Sequence, residues 1–303
     1  MANTLGTLSG ALILQKALQL TFTQRPLLKM ISMGFRELDG RVDNALLNQS
    51  VKSRILSVAT VNNFGTGATN RGDTDVTLSL NATKEIHHAF TLAEVNSTDR
   101  DLIAESAMPI AIALSNHIID AVASYWLAAN FATAVTVASG WTYNNTLRPL
   151  GKALDDAGVP EENRFVALSS AVYDALLGDT NVVTALNNPA NGEAIRTGKL
   201  PDVRGFALAK YVSLPANGEN LVAFAGTPDS TVYVARAPKD PRELAPNLTF
   251  PGNIGYIEDP RTGFRVMVTQ YIDQATLTVN NRIIWLEGFG VGNGNNGARL
   301  KTA

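Results

Sequence analysis

The chain has 303 residues, a formal net charge of −2, 45% hydrophobic residues and only 17% charged ones, against about 25% charged in typical soluble domains. That balance gives no basic footprint for gripping nucleic acid, and the absence of cysteine excludes disulfides and thiolate metal sites. A chain of this length can bury a large core and normally splits into two domains, and a surface so short of charge points to burial against other chains.

Residues 1–49 carry Leu8, Leu12, Leu14, Leu18 and Leu20 in a short helical pattern that ends before Pro26, followed by the polar break Arg36-Glu37-Leu38-Asp39-Gly40-Arg41. No domain-sized core fits there, so the segment reads as an arm lying on its own chain or on a neighbour. It lacks a charged n-region and a clean cleavage site, and no secretion signal is expected. From Ser50 the period changes to two. Val51 to Val61 reads as one strand. Val76, Leu78, Leu80 and Ala82 alternate with Thr77, Ser79 and Asn81, and Ile86, His88, Phe90 and Leu92 continue the register. With the polar, Gly-rich stretch NNFGTGATNRGDTD between them, residues 50–95 form a projecting hairpin. An isolated two-stranded ribbon is marginal in water, so a partner subunit is the natural surface for it.

Ser97 to Phe131 is the spine of the chain. Beyond Pro109 it runs about twenty residues without Pro or Gly, long enough for a helix of about 30 Å. Pro109 cannot donate to residue 105, so the pattern predicts a short first helix and a long one with Pro109 in its opening turn. Ile110, Leu114, Ile118, Val122 and Tyr125 share one face, and Ile112, Ile119 and Trp126 recur on a second, so both faces are expected to be covered. A membrane span is the rival reading. It would put Asn116, His117 and Asp120 near mid-bilayer, where polar groups are costly, and the apolar window is too short. A core helix fits better.

Trp141 to Asn145 marks a boundary, and an α/β block follows over 146–236. Thr146 to Ala157 is helical and stops at Gly158, Arg164 to Leu168 is a short buried strand, and Ser170 to Leu177 is a helix with Ser169 or Ser170 as N-cap. Phe206 to Leu214 and Asn220 to Phe224 read as strands. Pro238, Pro241, Pro246 and Pro251 punctuate a linker. Beyond it Phe264 to Tyr271 and Ala275 to Leu286 are strands that pair antiparallel, and the tail past Gly290 is too rich in Gly and Asn to predict an element.

Three stretches, in this order, carry a family resemblance. AESAMPIAIALSNHIIDAVASYWLAANF resembles the spine helix, with its Ser-x-x-Pro-like entry, of tailed-bacteriophage major capsid proteins of the Hong Kong 97 type. KALDDAGVPEENRFVALSSAVYDALLGD is similar to the helix, strand and helix that open that family's axial domain, and GFRVMVTQYIDQATLTVNNRIIWLEGFGV to the closing strands of its peripheral domain. The resemblance implies an α+β capsid fold: an N-terminal arm (1–49), an extended hairpin loop (50–95), a peripheral domain with the spine helix (96–145), an axial domain (146–236), and closing strands with a C-terminal tail (237–303). It implies a non-enzymatic coat protein assembled in the bacterial host cytoplasm. Pentamers and hexamers would close into an icosahedral virion shell around double-stranded DNA, with a separate scaffolding protein, a portal protein and a decoration protein as partners. The DNA would be enclosed without sequence-specific binding and without a membrane, and a slightly acidic chain suits a wall that must not bind DNA tightly, since phosphate contacts dominate such affinity.

No catalytic, cofactor-binding or metal site is expected. His87 and His88 sit next to each other in a strand and point to opposite faces, so with Glu85 or Glu94 they do not readily share an ion. His117 and Asp120 lie on one helix face, but Ser115 is mid-helix rather than at the exposed turn a nucleophile needs, and a core histidine is the simpler reading. Gly65-Thr66-Gly67 and the glycines at 288, 290, 292, 294 and 297 lack the Gly-Lys-Ser/Thr and helix of a phosphate loop, and Arg71-Gly72-Asp73 is an ordinary polar turn. Some related shells cross-link a hairpin Lys to an Asn. Here Lys84 lies on a strand and Asn280 and Asn281 are unexceptional, so no cross-link is expected. Arg36, Glu37, Arg41 and Arg54 are free to pair across subunits or within the chain. Three alternatives remain: an encapsulin-type nanocompartment shell with protein cargo; a soluble α/β hydrolase-like enzyme using 146–236, where Asp155, Asp156, Arg164 and Asp174 read as scattered solvated charges; and an adhesive surface protein built on the Arg-Gly-Asp tip.

Overall fold

The computed structural model describes residues 14–21, 25–31, 50–55, 61, 64, 74–97, 102–138, 140–182, 200, 202–214, 218–243, 252–259 and 264–303. In chain order these form α1 (14–21), α2 (Pro26–Met30), β1 (Ser50–Ile55), β2 (Thr74–Ser79), β3 (Ala82–Phe90), α3 (Leu92–Ser97), α4 (Leu102–Ala123), β4 (Ala134–Val137), α5 (Leu147–Asp156), β5 (Phe165–Leu168), α6 (Ser170–Leu177), β6 (Ala207–Lys210), β7 (Leu221–Gly226), β8 (Thr231–Arg236), β9 (Gly252–Glu258), β10 (Arg265–Asp273), β11 (Thr278–Val291) and β12 (Gly297–Thr302). The chain divides into two compact units. One comprises Met1–Ala17, Met33–Ile110 and Tyr233–Phe289; the other comprises Leu18–Ser32, Ala111–Val232 and Gly290–Ala303.

The first unit is built on an antiparallel sheet in the order β3-β11-β10-β9, with β8 also pairing β11. β10 and β11 pair antiparallel as their alternation predicts. β1 and β2 form a separate two-stranded ribbon, with Ser50 opposite Ser79 at its root and Ile55 opposite Thr74. The single strand predicted over 76–92 is two strands in two different sheets. At the break Asn81 donates its backbone N–H to the Glu287 carbonyl at 3.2 Å, and Gly288 has no side chain, which lets the Ser79 carbonyl come close. The chain thus leaves the ribbon and joins β11. The predicted strand at 51–61 is described only as far as Ile55, and Val61 is exposed and lies in no strand.

Leu92 belongs to a helix rather than to the strand. Thr91 and Glu94 form a reciprocal capping box: the Thr91 N–H donates to the Glu94 carboxylate at 2.8 Å, and the Glu94 N–H donates back to the Thr91 hydroxyl at 3.3 Å. The Thr91 bonds hold the Glu94 carboxyl below its ordinary value.

α4 is one helix with Pro109 inside it, not the two predicted. Pro109 has no N–H to give the Glu105 carbonyl, and Glu105 and Pro109 both lie on the exposed side, away from the packed face of the helix. Ile110, Ala111, Leu114, Ile118, Ile119 and Val122 are buried, but Ile112 is 38% exposed, and Trp126 lies beyond the helix end rather than on its second face. Glu105–Ala123 is the one described helix long and apolar enough to cross a membrane, and 61% of its window is buried inside the protein.

The second unit holds a mixed sheet in the order β4-β12-β7-β5-β6. α5 and α6 stand where their patterns put them. Leu147, Leu150 and Leu154 of α5 and Val172 and Leu176 of α6 join Val166, Leu168, Val222, Ala225 and Leu300 of the sheet in one core. Gly158 ends α5 with φ +70°, the left-handed geometry that glycine supplies cheaply, and the Ser169 hydroxyl caps α6 by accepting from the Val172 N–H at 3.4 Å. Phe224 is the hub. Trp126 stacks on it at 4.6 Å, and Phe131 meets it edge-on at 4.9 Å.

The tail past Gly290 contains β12, which lies parallel to β4 and antiparallel to β7. Its Gly and Asn composition gives no element to predict, but pairing on both edges and burial of Ala298, Arg299 and Leu300 override local preference. β4, β9 and α2, the last with Pro26 at its first turn, are further elements the pattern reading does not assign.

Candidate functional sites

The chemistry-bearing residues do not converge. His87 and His88 do point to opposite faces of β3: His87 is exposed and bonds Asn280 Oδ1 at 2.7 Å, while His88 is half-buried. Ser115 is buried, and its hydroxyl donates to the Ile112 carbonyl of its own helix at 2.8 Å, so it presents no nucleophile. His117 is half-buried rather than in the core. Among the described residues no group of three or more His, Asp or Glu is arranged to hold a metal ion. Gly65-Thr66-Gly67, Arg71-Gly72-Asp73, Arg36, Glu37 and Arg41 lie outside the described residues.

The structure instead brings together buried ions. In the first unit Glu287 is fully buried in β11. Its carboxylate accepts from the Tyr233 hydroxyl at 2.9 Å and from the Trp285 indole N–H at 3.0 Å. Lys84 reaches it at 4.0 Å, which ties that lysine to its own chain. Burial, reinforced by the Glu287 charge, raises the Tyr233 phenol well above its ordinary value. A lone acid inside the apolar run IIWLEGFGV is the signal that marks such a group, because an unpaired buried charge is prohibitive.

In the second unit the solvated scatter expected at Asp155 and Arg164 is a knot. Arg164, 4% exposed, donates to Asp155 at 2.6 Å and to the carbonyls of Pro160 and Val159. Arg204 joins from a residue with φ +54°, giving hydrogen bonds to the Arg148 carbonyl at 2.9 Å and to Asp155 at 3.3 Å. The Arg164 hydrogen bond, which outweighs desolvation, holds the Asp155 carboxyl below its usual value. A second knot is centred on Arg299 of β12. It donates to the Phe131 carbonyl at 2.8 Å and to Glu219 at 2.5 Å, and Glu219 accepts from the Ala128 N–H at 2.9 Å. These groups lock strands and loops together; none is left free to act on a substrate.

Also in the second unit, α2, mid-α4 and Lys210–Ser213 enclose a cleft of about 340 Å3 lined by Arg25, Leu27, Asn116, Ile119, Asp120 and Tyr211 among others. The Tyr211 hydroxyl donates to Asp120 at 2.5 Å. Burial first, and this bond second, push the Tyr211 phenol up.

No family model matches the sequence, and no curated protein matches it. Solved structures do. One from Mycobacterium phage Che8 aligns with a TM-score of 0.59 at 14% identity, covering 89% of this chain and 89% of that one. The capsid structure of the cyanophage P-SCSP1u aligns at 0.57 and 14% identity over 86% of this chain and 85% of its own. The virus-like particle from Pyrococcus furiosus aligns at 0.52 and 13% identity over 95% of this chain and 98% of its own. With its ribbon, spine helix and two sheets, the chain has the Hong Kong 97-type fold of phage major capsid proteins.

Proposed function

We propose that this chain is the non-enzymatic major capsid protein of a tailed phage, assembling as pentamers and hexamers into an icosahedral shell around double-stranded DNA in the host cytoplasm. The observation that carries the reading is the match to the cyanophage capsid over 86% of this chain and 85% of that one. In this reading 1–49 is the N-terminal arm, and the 50–95 hairpin lies over an adjacent subunit. Residues 96–145 with 237–303 make the peripheral domain, apart from β4 and β12, which share a sheet with 146–236, and that block surrounds the local symmetry axes. A scaffolding protein, a portal and a decoration protein are its expected partners. A virus-like or encapsulin-type particle that encloses protein is the second reading, favoured by the match to the Pyrococcus furiosus particle.

Negative-stain electron microscopy and native mass of the purified chain, with and without candidate scaffold, test the proposal. Closed shells or rings of five and six subunits support it, and nucleic acid rather than protein inside selects the phage reading. A monodisperse monomer or dimer under every condition overturns both.

A further inference from the structure

The cleft of about 340 Å3 in the second unit falls in the size range of ligand pockets, roughly 300–1,000 Å3. Its inner wall is apolar, with Leu27 and Ile119 both buried. Its polar lining is partly paired. Arg25 donates to Asn116 Oδ1 at 2.5 Å, and the Tyr211 hydroxyl donates to Asp120 Oδ1 at 2.5 Å. The Ser213 side chain also bonds the Tyr211 hydroxyl. What remains is the donor capacity of the other N–H groups of Arg25, the Asn116 amide and the Lys210 ammonium, which forms no ion pair among the described residues, beside the second oxygen of the Asp120 carboxylate. Arg25 and Lys210 against Asp120 leave the lining one positive charge in excess, on a chain whose overall charge is −2.

A donor-rich, singly cationic cleft with apolar walls suits one carboxylate, and Arg in particular meets carboxylates with paired hydrogen bonds. Asp120 repels any anion, a dianion such as phosphate about twice as strongly as a single carboxylate. Val212, 71% exposed, offers the rim an apolar contact for a neighbouring side chain. We propose that this cleft binds an acidic peptide segment of a partner protein, seating an Asp or Glu carboxylate between Arg25 and Lys210 with an adjoining aliphatic side chain on Val212. The site is independent of whether the chain builds shells, since binding needs only the folded subunit.

The test is fluorescence anisotropy of a short peptide alternating Leu and Glu and carrying an uncharged dye, titrated with the full chain beside its Gln-for-Glu counterpart. Expected are saturable binding that weakens with added salt, at least about tenfold weaker binding of the Gln peptide, and at least about tenfold loss in Lys210→Glu. Lys210 is exposed, so the thermal midpoint of that variant stays at the wild-type value; Arg25→Gln gives a second, charge-removing check. The proposal is overturned if the folded wild-type chain does not bind the acidic peptide, if the Glu and Gln peptides bind alike, if Lys210→Glu binds as wild type does, or if inorganic phosphate displaces the peptide at matched concentration.

Discussion

At position 297 the absence of a side chain does the packing. A Cβ there would stand 2.5 Å from the Phe131 ring and 2.7 Å from the Phe224 ring, two groups that are themselves fully buried. Replacing a strand glycine by alanine ordinarily gains about 0.5–1 kcal/mol in backbone entropy. Forcing a methyl into a packed core costs about 1–3 kcal/mol, so the second effect wins. Gly297→Ala is expected to lower stability by about 1–2 kcal/mol net, read as a lower urea midpoint at unchanged slope; an equal or higher midpoint would mean that the aromatic cluster yields. Asp179 makes a pH prediction at the same scale. Burial alone would raise its carboxyl, but the backbone N–H groups of Tyr143 and Asn181 and the Asn181 amide outweigh it and hold the group below the ordinary 3.8. The folded chain therefore binds that proton less tightly than the unfolded one. The stabilisation is complete above about pH 5 and is lost as pH falls through the folded value. Asp179→Asn removes the charge and, as protonation does, leaves only one of the two oxygens that accept from Tyr143 and Asn181. It should be less stable than wild type at neutral pH, with the gap closing in acid; a gap constant across that range would assign Asp179 a role in shape alone.

At the scale of elements, the ribbon β1–β2 pairs only with itself among the described residues, and Val51 lies opposite Leu78. Opposed Cα atoms in such a pair are about 4.5–5.5 Å apart, a gap that a two-residue Asn-Gly turn closes. Replacing residues 52–77 by Asn-Gly is expected to leave far-ultraviolet circular dichroism per residue and cooperative melting intact while abolishing shells in the microscope. Shells that still form would show that the ribbon is dispensable for assembly; loss of the cooperative melt would show that it holds the subunit itself. How much of this was readable beforehand depended on where the deciding interaction lies. α5, α6 and the β10–β11 pair follow from periodicity and local caps, because their apolar spacing and the signals at Ser169 and Gly158 sit within the element. β12 does not, because a Gly- and Asn-rich segment becomes a strand only through β4 and β7 on either side. The break between β2 and β3 was hidden for the same reason: the alternation runs on unbroken, and the turn is set by Gly288 and the Glu287 carbonyl, some two hundred residues away in sequence. Of the residues weighed for a site, the mid-helix position of Ser115 and the opposite facing of the two strand histidines were legible from spacing. The burial of Arg164 was not, since a surface and a buried arginine look alike until Asp155 and the Val159 and Pro160 carbonyls are seen around it.

For the whole molecule the decisive quantity is how its positive charge is spent. The net charge is −2 and the isoelectric point about 6.0, and several guanidinium groups are already engaged: Arg164 and Arg204 with Asp155, Arg242 with Asp240, Arg282 with Glu85 and Arg299 with Glu219. Binding to duplex DNA draws its affinity from free Lys and Arg that displace counterions from phosphate, and it falls steeply with salt in proportion to the number of such contacts. In the proposed shell, guanidinium groups engaged in this way add little to DNA affinity, which suits a wall that has to fill and empty. Free subunits mixed with a labelled duplex at 50 mM salt should accordingly bind more weakly than about 10⁻⁴ M, the weak end of nonspecific association, with no resolvable salt slope. Micromolar binding that collapses between about 50 and 200 mM salt would reveal a basic surface on the subunit, and the proposed shell would then have to be read as one that grips its contents.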